Sequence, residues 1–410
     1  MANNNDNKVL NVPHLRFPEF SGEWKMCTIG ELTTKVGSGV TPRGGEAVYK
    51  TEGHPFVRSQ NVGLGNLLLD DIAFIDEETH LRQKNTELQF NDVLLNITGA
   101  SIGRSALVDK QIVGGNVNQH VCIIRTKENL VPSFICSFLL SNYGQRQIDS
   151  FQAGGNRQGL NFEQIKSIKI TIPSKDEQIK IAKLLRAIDE RIATQNKIIE
   201  KLQSLIKGLN DHILKNIEGD QVCFADLGEA YGGLSGKSGD DFGCGDPFIT
   251  YMNVYQNTYI SENDYELVQI APDEKQNSVQ YGDALFTLSS ETPEEVGMGA
   301  VYLGKSQKLY LNSFCFGVHF HGNRVLPQYI AHFISSTSFR KAIYPLAQGS
   351  TRFNLQKQDF MRMKFVLPSL EEQKRIATAL DALYNHLANE KLLTEQYLLL
   401  KQYLLQQMFI

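Results

Sequence analysis

Gly232-Gly-Leu-Ser-Gly-Lys-Ser238 is the segment of this 410-residue chain that comes nearest to a site for chemistry. A phosphate-cradling loop needs glycine, four residues, then Gly-Lys-Ser/Thr, so that backbone N–H groups wrap the phosphates and the lysine reaches the outer ones. Here the first of those glycines is replaced by Tyr231, and counting from Gly232 leaves the spacing one residue short. The segment reads as an acidic, Gly-rich loop. Gly37-Ser-Gly39 opens like a dinucleotide fingerprint, but Pro42 stands where the third glycine must let helix and strand approach. Pro272-Asp-Glu-Lys275 compresses acid and lysine into one turn and lacks the second acidic arm of a nuclease core. No Pro-Pro occurs, which removes the Asn/Asp-Pro-Pro-aromatic loop that grips an adenine amine for methylation. The nine histidines form no HxxxH or HExxH pair, and the cysteines at 27, 122, 136, 223, 244 and 315 form no CxxC. Neither a zinc site nor a disulfide framework is expected. The chain reads as non-catalytic, with no metal and no cofactor of its own.

Composition bounds what else it can be. Hydrophobic residues make up 41% and charged residues 21%, the profile of a globular chain, and its length suits two or more domains. No apolar run approaches a membrane span, and the polar start Met1 to Asn7 does not resemble a secretory signal. A reducing cytoplasm fits the scattered cysteines. Net charge is -4, unlike that of a protein that coats nucleic acid. Locally the contrast is sharper: residues 217–350 hold 7 Lys+Arg against 16 Asp+Glu, net -9, while residues 161–216 hold 11 against 7, net +4. Any nucleic-acid contact must be local, with a partner supplying part of the positive charge.

The elements that must position any binding residue are written twice. Val131-Pro-Ser-Phe-Ile135 returns as Leu326-Pro-Gln-Tyr-Ile330, and Gly154-Gly-Asn-Arg157 with Leu160 as Gly349-Ser-Thr-Arg352 with Leu355. Lys169-Ile-Thr-Ile-Pro173 returns as Lys364-Phe-Val-Leu-Pro368. Glu177-Gln178 and Ile181-Ala182 return as Glu372-Gln373 and Ile376-Ala377, always 195 residues on. The fronts match more loosely: Pro55-Phe56 and Asn61-Val62 with Pro247-Phe248 and Asn253-Val254, and Phe90-Asn-Asp92 with Tyr281-Gly-Asp283. Short runs rich in β-branched and aromatic residues, such as Asp92–Ile97, His120–Arg125 and Phe314–Phe320, are bounded by Gly and Asn and predict β-rich fronts. A helix is predicted after each, over Pro132–Gln147 and Pro327–Ile343, with Pro in its first turn.

Each repeat closes on a long helix. Between Lys175 and Ile217 there is no Pro and one Gly, Gly208. Ile181, Leu185, Ile188, Ile192, Ile199, Leu202, Ile206, Leu209 and Ile213 follow heptad steps of four and three, with Gln195 as the polar seam position. The second copy begins likewise with Ile376, Leu380, Leu383 and Leu387, then reads as slipping by one, with Leu393, Tyr397, Leu400 and Leu404 carrying the stripe. A helix of about 40 residues spans roughly 60 Å. With short linkers the second helix must run back along the first. The expected fold is α+β: two β-rich domains, each followed by a long helix, the helices pairing as an antiparallel coiled coil within an internal pseudo-two-fold repeat. The divisions are 1–160, 161–217, 218–355 and 356–410. The first and third are the β domains, the others the helical regions.

Leu15-Arg-Phe-Pro-Glu-Phe20 with Trp24, Gly30-Glu-Leu32, the Gly39-Val-Thr-Pro42 turn and the twice-used Pro-x-x-x-Glu-Gln-x-x-Ile passage (Pro173 to Ile181, Pro368 to Ile376) carry a resemblance. The chain resembles the specificity subunits of type I restriction-modification systems over almost its whole length. That resemblance implies two target-recognition domains, each reading one half of an asymmetric, bipartite site in double-stranded DNA. It implies helices that set the spacer and dock two methyltransferase subunits, which bind S-adenosylmethionine. Two motor-nuclease subunits using ATP and Mg are optional further partners. Arg, Asn and Gln are suited to base edges. The candidates are Arg43, Arg58, Gln60, Asn61, Arg104, Asn118, Gln119 and Arg157 in the first domain, and Lys237, Tyr251, Asn253, Tyr255, Lys305, Asn312 and Arg352 in the second. Singly, each also reads as a solvated loop residue or a turn-forming Asn. Arg157 and Arg352 recur at one place in both halves, which suits backbone contact or structural support better than readout of two different half-sites. The rival reading is a protein–protein scaffold built from duplicated β domains, favoured by the acidity of residues 217–350.

Overall fold

A computed structural model describes residues 11–152 and 159–410. In the first repeat the elements are β1 (Lys25–Thr28), β2 (Thr33–Ser38), β3 (His54–Val57), β4 (Ala73–Ile75), α1 (Glu77–Arg82), β5 (Val93–Asn96), β6 (Ser105–Leu107), β7 (Asn116–Val117), β8 (Val121–Thr126), α2 (Pro132–Leu140), α3 (Asn142–Ser150), α4 (Phe162–Ser167), β9 (Lys169–Ile172) and α5 (Lys175–Lys215). The second repeat runs β10 (Asp220–Cys223), α6 (Phe224–Leu227), β11 (Gly228–Gly232), β12 (Phe242–Ile249), α7 (Tyr251–Gln256), β13 (Tyr265–Val268), β14 (Ala284–Thr287), β15 (Ser289–Ser290), β16 (Gly299–Val301), β17 (Tyr310–Leu311) and β18 (Cys315–Phe320). It continues with α8 (Pro327–Ile334), α9 (Thr337–Ile343), β19 (Ala347–Gln348), β20 (Phe353–Leu355), α10 (Lys357–Met361), β21 (Lys364–Leu367) and α11 (Leu370–Gln407).

The two repeats share one strand plan. Sheet β2-β8-β5-β6 corresponds to β11-β18-β14-β16, and β4-β3-β7 to β13-β12-β17. In each of the three-stranded sheets one pair is parallel, Phe56 opposite Asn116 and Phe248 opposite Tyr310. The pair β1·β9 sets Lys25 against Ile172, and β10·β21 sets Asp220 against Leu367, so the 195-residue offset holds on both strands. The central strands read as nearly unbroken apolar runs because both faces are covered: Val121 to Ile124 and Cys315 to Val318 are buried throughout. The loosely matched Phe90-Asn-Asp92 and Tyr281-Gly-Asp283 form the same turn into β5 and β14. Asn91 and Gly282 both take left-handed backbone, φ 68° and 91°. Asp92 and Asp283 accept the Gln89 and Gln280 backbone N–H groups at 2.8 and 2.9 Å.

The helix predicted after each β region is two helices. Ser141 ends α2 and caps α3, accepting the Gly144 N–H at 3.3 Å; in the second repeat Ser335 ends α8 and Ser336 caps α9, accepting the Phe339 N–H at 3.1 Å. A hydroxyl that satisfies an orphan N–H is the break signal here. The repeated Glu-Gln passage is explained by its Gln. Gln178 accepts the Val131 N–H at 2.9 Å and donates to the Asn129 and Pro173 carbonyls. Gln373 accepts the Leu326 N–H at 2.8 Å and donates to the Arg324 and Pro368 carbonyls. Each buried amide thus ties the start of a long helix to the turn before α2 or α8.

Two compact units divide the chain: Met1–Asn196 with Leu392–Ile410, and Lys197–Lys391. Each long helix contributes to both. In the first unit Ile181, Leu185 and Ile188 share a core with Leu404, Met408 and Phe409, and Asp189 pairs with Lys401 at 2.6 Å. In the second, Leu209 and Ile213 pack on the core that holds Ile376, Ala377 and Leu380. Early residues of one helix therefore meet late residues of the other within each unit, an antiparallel pairing. Gln195, Ile206 and Leu387 are buried, while Ile192, Ile199, Leu202, Leu383, Leu393 and Tyr397 are half-buried. The expected slip in α11 is absent. The inward face continues from Leu387 through Glu390, Thr394, Tyr397, Lys401, Leu404 and Met408 in unbroken heptad steps, and Leu400 is 43% exposed. Polar residues occupy seam positions, one of them the partner of Asp189, so following leucines alone reads a false shift.

Candidate nucleic-acid interface

The second repeat carries an open cleft of about 360 Å³ lined by Tyr251, Met252, Tyr255, Ser289, Ser290, Glu291, Glu295, Phe314 and Arg352. Its floor is β15, where Ser289 pairs with Asn354 of β20. Thr250 caps α7, accepting the Asn253 N–H at 3.2 Å, and so presents Tyr251, Met252 and Tyr255 at the first turns. The rings of Tyr251 and Tyr255 stack at 6.1 Å. The Tyr251 hydroxyl donates to the Ser289 carbonyl at 2.9 Å, and that of Tyr255 to Glu295 Oε1 at 2.7 Å. Glu295 also accepts from Ser290 Oγ at 3.1 Å, and the Tyr255 hydroxyl holds its carboxyl below the usual range. Across the cleft the Arg352 guanidinium lies 5.2 Å from the Phe314 ring centroid.

The same places in the first repeat are identified by shared hydrogen bonds. Asn61 donates to the Leu68 and Asp71 carbonyls at 2.8 and 3.4 Å, and Asn253 to those of Ser261 and Asp264 at 2.8 and 3.4 Å. Asn118 accepts the His120 N–H at 3.0 Å, and Asn312 the Phe314 N–H at 2.9 Å. Gln60 therefore stands where Met252 stands, and His120 where Phe314 stands. Thr98 bridges to Gly159 as Ser289 does to Asn354, and its Oγ1 lies 2.6 Å from His120 Nδ1. One framework thus carries hydroxyl, amide and imidazole in one copy, and thioether, phenyl, phenol and carboxylate in the other.

The candidates drawn from the sequence separate by what their side chains touch. Asn61 and Asn253 are buried at 1% and 0% exposure, Asn118 is buried, and Asn312 is half-buried, so these four build turns. Arg58 donates to the Asp71 carbonyl and carboxylate at 2.7 and 3.0 Å and lies over Tyr49. Lys237 reaches the Gln269 carbonyl at 2.6 Å and Glu274 at 2.5 Å, holding that carboxyl down at about 2. Gln60 is exposed beside Asp71, and Gln119 beside His120. Arg43, Arg104, Lys305 and Arg352 are exposed. Arg157 lies outside the described residues. Tyr251, Tyr255 and Arg352 share the cleft; Lys237 and Lys305 do not line it. Met252, Phe314 and Glu291 also line the cleft and were not among the sequence candidates, which were chosen as hydrogen-bonding types suited to base edges. The signal available was a large apolar side chain directly before the turn-building Asn253, and another two residues after Asn312.

Among the described residues no group of three or more His, Cys, Asp and Glu side chains could hold a metal ion, and no helix is long and apolar enough to cross a membrane. The family model for the type I restriction modification DNA specificity domain matches twice, over residues 21–204 and 237–396. The chain is 23% identical to the type I restriction enzyme EcoKI specificity subunit of Escherichia coli (strain K12) over 397 residues, 88% of this chain and 82% of that one. It is 21% identical to the putative MjaX specificity subunit of Methanocaldococcus jannaschii, with 92% and 90% covered. The S subunit from M. genitalium has a similar fold, with a TM-score of 0.57 at 14% identity over 97% of this chain and 99% of that one. A doubled domain match, a doubled strand plan and two long closing helices agree: this chain belongs to the type I restriction-modification DNA specificity family.

Proposed function

We propose that this chain is the DNA-reading, non-catalytic subunit of a type I modification complex acting in the cytoplasm. Each β-rich region reads one half of a bipartite, asymmetric site in double-stranded DNA. The paired helices set the spacer and dock two methyltransferase subunits, which bring S-adenosylmethionine. Restriction subunits with ATP and Mg can join the same frame. The observation that carries this reading is a common framework, matched in its four-stranded and three-stranded sheets and in turn hydrogen bonds, whose matching surface positions hold different side chains. Two copies reading two different half-sites need that combination, since phosphate contacts position and base-edge contacts specify. The net charge of -9 over 217–350 favours a second reading, a protein scaffold.

The deciding experiment sequences methylated sites in cells expressing this chain with its methyltransferase partner, with and without replacement of residues 1–155 by a relative's. One half-site is expected to change while the other half and the spacer stay. Change in both halves refutes two independent readers, and a methylation pattern indifferent to this chain supports the scaffold.

A further inference from the structure

The loop from β14 to β16, residues 288–298, is three residues longer than its counterpart from β5 to β6, residues 97–104. This longer loop contributes Glu291 to the cleft lining. Both loops are anchored from the same helix position: Gln145 donates to the Gly103 carbonyl at 3.0 Å, and Arg340 to the Gly297 carbonyl at 2.5 Å. Arg340 also donates to the Glu294 and Val296 carbonyls at 2.6 and 2.7 Å. The longer loop is thus pinned by three backbone carbonyls and by Glu295 on Tyr255 and Ser290, a preorganised rim rather than a loose insertion. Met252 and Phe314 in the same lining are 52% and 50% exposed, large apolar groups left open even with Arg352 over the Phe314 ring.

An exposed carboxylate against an apolar wall selects by chemistry. It repels phosphate and the carbonyl acceptors on guanine and thymine edges, and it accepts from an exocyclic amine; cytosine shows that amine beside an apolar C5 edge. Resting on the DNA-reading function proposed above, we infer that the cleft of Met252, Phe314 and Glu291 is the specificity site of the second repeat, and that it reads a cytosine in the major groove. Glu291 accepts the N4 amine, Met252 and Phe314 flank C5–C6, and Arg352, shared in type with the first repeat's Arg157, faces the backbone phosphate. Gln60 and His120 occupy the matching positions of the first repeat, so that half-site is read by other chemistry.

The test sequences methylated sites in cells carrying the complete complex with wild-type chain, Glu291→Gln or Met252→Ala. The wild-type motif is expected to contain a cytosine in the half-site assigned to the second repeat by the domain exchange above. Glu291→Gln is expected to lower methylation of sites carrying that cytosine, relative to sites carrying another base at the same position, by roughly tenfold, and Met252→Ala to relax the same position, with the other half-site and spacer unchanged. An unchanged motif with uniformly weaker methylation overturns the proposal in favour of a phosphate or structural role. An unchanged motif with weaker complex assembly overturns it in favour of a protein contact. A domain exchange that fails to alter a single half-site defeats the DNA-reading function itself, a result distinct from failure of the cleft.

Discussion

Phe409→Ala tests how the end of α11 is held. Phe409 is 0% exposed, with its ring centroid 5.1 Å from that of Phe134 and 6.2 Å from that of Phe138. Beside it Met408 and Leu404 are buried, and Thr171 donates to the Ile410 carbonyl at 2.6 Å. Truncating a core Phe to Ala costs about 3–5 kcal/mol, counting transfer and the cavity left between two other rings. If the last turns of α11 open as a local unit, that loss acts on their opening equilibrium. Amide hydrogen exchange in residues 404–410 should then accelerate by about two to four orders of magnitude, at about 1.4 kcal/mol per tenfold. Residues 284–301 and 315–334, in the other unit, should exchange as before. Unchanged exchange at 404–410 would refute the anchoring argument. Equal acceleration at 315–334 would show that the anchor is not local to the first unit.

Gln178→Leu should destabilise by about 1–3 kcal/mol per buried group left unpaired at Val131, Asn129 and Pro173, and Gln373→Leu should act alike, checked by urea denaturation; equal stability to wild type would count against the tie. Arg16 forms a two-pronged pair with Glu177, 2.8 Å on each arm, and Glu177 is 1% exposed. Arg16→Met should therefore cost about 3 kcal/mol by stranding that carboxylate, and Glu177→Gln in the same background should restore part of it. His332 is 1% exposed, 2.7 Å from Asp381, which also accepts from Tyr259, and its ring stacks on Tyr384. Burial lowers its pKa, opposed in part by Asp381, so the folded second unit prefers the neutral ring. The stability this gives is present above the ordinary value of about 6.5 and is lost as pH falls through the lower folded value. Melting of wild type between pH 7.5 and 5 should fall more steeply than that of His332→Gln, and parallel slopes would rule the histidine out.

The repeat, the β fronts, the helical backs and their antiparallel return were legible in the sequence by itself, because periodicity, Pro placement and a constant offset are local properties of a chain. The offset of 195 was readable over the helices and even governs β1 and β10, whose residues share no obvious identity. What local pattern could not decide was how polar residues are used. Gln178 and Gln373 looked like a motif and are backbone ties; Asn61, Asn253 and Asn118 read as base-edge candidates or as turn-formers, and their burial makes them turn-builders. Ser141 and Ser336 looked like helix interior and are caps. The α11 stripe read as slipping by one after Leu387 and does not, because Lys401 sits on the seam where Asp189 meets it from α5. In the cleft the reverse holds: Met252 and Phe314 are large apolar side chains, yet they stand half exposed. A polar side chain has the same composition whether it faces water, a backbone carbonyl or a base. Its role is set by partners far away in sequence, such as Arg340 under the 288–298 loop, and only the tertiary structure brings those partners together.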